Sequence, residues 1–183
     1  DLLCDYIFLG NIQPDLQLEV LNQAPPNSKI VCDTMNLWID INPKQLWKVV
    51  NKTNMFLLND EEALQLTGEN TLQDAAKSLL DKGPSAVVIK CGAKGAYLST
   101  VDMSIHIPVY PVKKIFDPTG AGDSFAGGFI GQLINDPSND LVDAVVTGSA
   151  IASFTVSDFG VKGLINAKIQ SINKRKTYIY SKI

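Results

Sequence analysis

In Asp117-Pro118-Thr119-Gly120-Ala121-Gly122-Asp123-Ser124-Phe125, three small residues at 120 to 122 run directly into a helical pattern. Phe125, Phe129 and Leu133 form one apolar stripe, and Ala126, Ile130 and Ile134 a second, so the spacing predicts a helix over 124–134. Residues without bulky side chains let the backbone approach an anion closely. The first amides of a helix lack internal acceptors, and the helix dipole adds positive potential there. Gly120, Ala121 and Gly122 therefore read as a phosphate cradle built from backbone groups. Asp123 stands at its mouth. A carboxylate repels phosphate, so it makes sense there as the base that takes a proton from a hydroxyl attacking phosphorus. The plain alternative is an ordinary turn with Asp123 as helix N-cap. Gly127 and Gly128 lie inside the same helix, where each costs about 1 kcal/mol relative to alanine, so something must pack or approach closely there.

Outward from this segment, strand-like and helical runs alternate. Tyr6–Leu9, Lys29–Asp33, Met55–Leu58 and Ala86–Ile89 are apolar, strand-like runs. Between them lie helical patterns from Pro14 to about Asn22, from Pro43 with Asn42 as N-cap, from Asp60 to Leu66 with Gly68 as stop, and from Thr71 to Gly83. Residues 94–100 and 104–109 read as a hairpin or meander, and 141–154 and 165 onward as helices. This alternation gives an α/β class with a mainly parallel sheet and helices on both faces, in one continuous domain over residues 1–183.

Composition narrows the functions. The 183 residues are 45% hydrophobic and 19% charged, which is globular. Sixteen Lys and Arg against 19 Asp and Glu leave a formal charge of −3, with no electrostatic pull toward nucleic acid or acidic membranes. No apolar run approaches the roughly 18 residues of a membrane span. The one histidine, His106, sits between Ile105 and Ile107 and reads as solvent-facing rather than catalytic. It precludes a histidine-based metal cluster. Cys4, Cys32 and Cys91 are scattered, as in a reducing cytoplasm. The chain opens on Asp1 without an initiator methionine, which marks it as trimmed or as part of a longer protein.

Two further stretches carry chemistry. Asn59-Asp60-Glu61-Glu62 follows a strand with the N-x-x-E spacing of a capping box. Lys90-Cys91-Gly92-Ala93-Lys94-Gly95 follows another strand, and Gly92 and Gly95 either make a tight hairpin turn or let the backbone run beside nucleotide phosphates. No G-x-x-x-x-G-K-[ST] loop occurs, and no G-x-G-x-x-G follows a strand. Asp33-Thr34-Met35-Asn36-Leu37-Trp38 follows a strand toward the ligand crevice of an open sheet, without an assignable ligand. Trp38 and Trp47 read as packing residues, and Lys174-Arg175-Lys176 as a solvated helix face.

The run Asp117–Ile130 resembles the C-terminal signature of the ribokinase-like (PfkB-type) carbohydrate kinases. The resemblance implies a three-layer α/β/α sandwich, here without the family's N-terminal strands and lid. It implies phosphorylation of a sugar hydroxyl by ATP, with Asp123 as base and the amides at Gly120, Ala121 and Gly122 as anion hole. Asn59 and Glu62 would organise Mg2+ through water. Lys90, Gly92, Gly95 and Ser149 would border the nucleotide, and Asp117, Thr119 and Gly160 a monovalent cation such as K+. The alternatives are a nucleoside kinase of the same family and a non-catalytic truncated relative that binds or regulates. Loss of the first strands implies an open sheet edge through which the chain self-associates.

Overall fold

A computed structural model describes residues 4–136 and 138–183; residues 1–3 and Pro137 of the expected single domain lie outside the described residues. The chain divides into two compact units, Asp1–Cys91 with Tyr97–Ile105, and Gly92–Ala96 with His106–Ile183.

The first unit is a run of strand–helix repeats. Strands β1 (Tyr6–Leu9), β2 (Lys29–Asp33), β3 (Met55–Asn59) and β4 (Ala86–Lys90) pair in parallel and in sequence order. The hairpin of β5 (Ala96–Thr100) and β6 (Ser104–Ile107) extends the order to β1-β2-β3-β4-β5-β6 among the described residues. The register aligns Leu9, Cys32, Phe56 and Val87 in one row on one face of the sheet. All four belong to the core cluster with Leu46, Val49 and Val50 of helix α3 (Pro43–Asn51), Ala63 and Leu66 of α4 (Asp60–Thr67), and Ala75, Ala76 and Leu79 of α5 (Leu72–Leu80). The opposite face, with Val31, Leu57 and Val88, is equally buried. A strand buried on both faces reads as an unbroken apolar run, which is why these strands show no alternation.

Local chemistry sets the helix ends. Thr71 caps α5 by accepting the Asp74 N–H at 3.1 Å, and Gly68 ends α4 in the left-handed conformation at φ 72°. Pro14 opens α1 (Pro14–Gln23), and Pro43 opens α3. Asn42 occupies the N-cap position of α3 but makes no side-chain cap; its amide instead donates to Asp15 on α1 at 2.7 Å. Asn36–Ile41 forms a further helix, α2, where the sequence pattern offers none.

The second unit holds α6 (Ala121–Asn135), α7 (Leu141–Thr155), α8 (Lys162–Ile165) and α9 (Ile169–Tyr180). The helix expected from 165 onward starts instead at Ile169, because Lys168 is extended at ψ 146°, and the short α8 ends at Ile165. Gly128 and Gly148 let α6 and α7 meet closely: a Cβ on Gly148 would lie 2.8 Å from the Phe125 carbonyl oxygen. Gly128 thus has the packing role expected of it, whereas a Cβ on Gly127 would meet nothing within 4 Å. Of Lys174-Arg175-Lys176, Lys174 is exposed as expected, but Arg175 and Lys176 are not solvated. Arg175 stacks on Phe154 at 3.4 Å and Tyr110 at 4.8 Å, and Lys176 pairs with Asp143 at 2.9 Å. Helical spacing gives the face of a side chain's root, not the reach of a long cationic tip. Among the described residues, no helix is long and apolar enough to cross a membrane.

Candidate active site

Gly120 turns the chain into α6. Its φ of 76° lies in the left-handed region that glycine adopts without a Cβ penalty. The helix begins at Ala121, three residues before the apolar pattern, so the expected start at 124 moves upstream. Asp123 is therefore the third helical residue and not the N-cap, and its side chain is exposed. No side chain caps this turn. The Ala121 N–H donates to the Pro118 carbonyl at 3.1 Å. Gly122 and Asp123 are then the first-turn positions whose amides have no acceptor within the helix. A carboxylate and two such amides share one short turn, on the positive end of a 15-residue helix.

Residues on the entry side are tied to the segment after α7. Asp117 accepts the Thr119 N–H at 2.9 Å, and the Gly160 backbone lies near enough to add a smaller pull on the carboxyl. These bonds, led by Thr119, hold its carboxyl below the usual range. Thr119 and Gly160 thus both act on the Asp117 carboxyl. Gly160 is left-handed at φ 58°. Among the described residues, no three His, Cys, Asp or Glu side chains are grouped to hold a metal ion.

In the first unit, Asn59 and Glu62 form both halves of a capping box. The Asn59 side-chain oxygen accepts the Glu62 N–H at 2.7 Å, and Glu62 accepts the Asn59 N–H at 2.8 Å. Glu62 is buried, and desolvation pushes its carboxyl above the ordinary glutamate value despite that bond and the nearby Lys90 charge. One of its two oxygens serves the cap, so a hard cation would meet the other, an oxygen donor of the kind Mg2+ takes, often through water. Lys90, at the end of β4, reaches across β3 to Asp33 at the end of β2, with Nζ 2.6 Å from the carboxylate. Sequence reasoning assigned no role to Asp33.

Gly92 and Gly95 are both left-handed, at φ 54° and 105°, around a short 3-10 turn. Gly95 is demanded by packing, since a Cβ would strike the Ile107 backbone, whereas the space beside Gly92 is open. Ser149 is buried on α7. His106 is exposed as expected, with its ring 2.6 Å from the Lys94 carbonyl. Trp38 and Trp47 pack against the core as expected.

The chain is 35% identical over 146 residues to a ribokinase of Staphylococcus aureus, covering 80% of this chain and 44% of that one. Among solved structures, the nucleoside kinase of Methanocaldococcus jannaschii matches with a TM-score of 0.82 and 24% identity, over 97% of this chain and 57% of that one. An E. coli protein assigned as ribokinase II, in complex with ATP and Mg2+, matches with a TM-score of 0.79 and 22% identity, over 96% and 59%. These likenesses show the three-layer α/β/α ribokinase-like fold. The chain spans about half the length of the curated relatives it matches. The model of the pfkB family carbohydrate kinases matches residues 7–167, and the chain belongs to that family.

Proposed function

We propose that this chain carries the nucleotide side and the catalytic base of a kinase that phosphorylates a sugar or nucleoside hydroxyl. The observation that carries this reading is the first turn of α6: a left-handed glycine, first-turn amides and an exposed carboxylate within Gly120–Asp123. Relatives named for a sugar and for a nucleoside keep both acceptor classes in view. Scattered free cysteines suit a cytoplasmic protein.

Asp123 takes the proton of the acceptor hydroxyl as that oxygen bonds to the γ-phosphorus and the β–γ bridging oxygen leaves with ADP. The Gly122 and Asp123 amides, with Gly120 and Ala121 shaping the turn, face the charge that grows on the phosphoryl oxygens. When bound, MgATP supplies the phosphoryl group and a divalent charge beside it. Asn59 and Glu62 would hold the Mg2+ through water, and the donor set fits, being oxygen on a carboxyl that still has one atom outside the cap. Lys90, Gly92, Gly95 and Ser149 would border the nucleotide. Asp117, Thr119 and Gly160 offer oxygens to a monovalent cation such as K+.

In the complete protein, Asp123→Ala is expected to lower kcat by about 10²–10⁴-fold, the usual contribution of a positioned base, with affinity for MgADP retained. Turnover within about tenfold of the parent would refute the base assignment.

A further inference from the structure

The end of α7 grips the candidate anion hole from both sides. Thr155, its last residue, is buried, and its hydroxyl donates to Ser124 Oγ at 2.7 Å. Threonine in a helix commonly turns its hydroxyl back on the preceding turn; this one reaches a residue 31 positions away. The next residue, Val156, accepts the Phe116 N–H at 2.9 Å, just before Asp117. Gly160 lies near enough to add a small pull on the Asp117 carboxyl. Residues 155 and 156 thus hold the chain at 124 and at 116, on either side of the turn. That intervening stretch contains Gly120, Gly122 and Asp123, and no side chain caps it. Glycines give it the most backbone freedom to lose. Its internal bonds are local, Thr119 N–H to Asp117 and Ala121 N–H to the Pro118 carbonyl, so its placement against α7 comes from the bonds that flank it.

We propose that Thr155 is a positioning residue, whose hydroxyl fixes the first turn of α6 through Ser124 and so sets the aim of Asp123. This inference rests on the reading of Asp123 as base. Small misplacements of a reacting group cost large factors in rate, so the bond matters more to turnover than to folding.

The test compares Thr155→Val, which keeps the shape and removes the donor, with Thr155→Ser, which keeps the donor. The full protein is assayed for phosphoryl transfer from MgATP to a panel of pentoses and nucleosides, and hydrogen exchange at the Ser124 amide is followed. Thr155→Val is expected to lower kcat about tenfold, a 1.4 kcal/mol effect on the barrier, with KM for MgATP within about twofold. Exchange at Ser124 should quicken about tenfold, and Thr155→Ser should restore both. Unchanged kcat overturns the proposal, whether or not exchange quickens, because the bond is then structural at most. So does a fall in kcat that Thr155→Ser does not rescue. Asp123→Asn runs in the same series. If it leaves kcat within tenfold, there is no base to position and the proposal falls; quickened exchange in Thr155→Val would then place the error in the base reading rather than in the bond.

Discussion

Glu62 serves two demands that pull against each other. Its side chain closes the start of α4, yet it is buried, and desolvation raises its carboxyl pKa. A carboxyl whose folded-state pKa lies above its unfolded value adds stability below the unfolded pKa and loses it as pH rises through the folded one. Glu62 therefore weakens the fold progressively as pH climbs from the ordinary glutamate range toward neutrality. Glutamine serves the same capping role without the buried charge. Glu62→Gln should flatten that part of the pH–stability profile and raise Tm at pH 7 by about 2–4 °C, the shift of a 1 kcal/mol gain in a domain of this size. The same variant should weaken MgADP binding. A lower Tm at pH 7 in thermal melts across pH 4 to 8 would contradict this account. The Asn59–Glu62 pair was legible because a capping box has fixed local spacing. Lys90–Asp33 was not, since its partners stand 57 residues apart and meet only through the register of three strands.

At the scale of elements, the α6–α7 contact is the tightest constraint on the candidate site. Gly148 faces the Phe125 carbonyl and ring, neither of which can swing aside cheaply. Gly148→Ala should cost about 1–3 kcal/mol, as overpacking does, and denaturant melts will measure it. Gly127→Ala is the control: its Cβ would meet open space, so a gain of up to about 1 kcal/mol from helix propensity is expected. Stability unchanged in Gly148→Ala would mean that α6 and α7 are not pinned as described. The strands and most helices were readable because apolar periodicity and caps are local signals. The onset of α6 was placed late because a left-handed glycine replaces the usual capping side chain, and α2 was missed because six residues carry too little periodicity. Arg175 was read as solvated and Thr155 was passed over for one reason: both act through the tip of the side chain on a distant element, which spacing along one helix cannot reveal.

For the whole molecule, β1 is an edge of the sheet among the described residues, and the first unit leaves Phe8, Ile12, Leu16 and Val20 exposed. Open edges and exposed apolar side chains favour pairing with another chain. The 183-residue chain is expected to self-associate in size-exclusion chromatography with light scattering, and a compact monomer across concentrations would count against that. The central claim is that the turn at Gly120–Asp123 meets the phosphates of a nucleotide. Calorimetric titration of this chain with MgADP and with a non-hydrolysable MgATP analogue tests it most directly, with a bulky substitution at Gly122 alongside. Binding in the micromolar range, about −8 kcal/mol, that the Gly122 substitution weakens at least tenfold is the predicted result. Binding by the folded chain that is indifferent to Gly122 would contradict it.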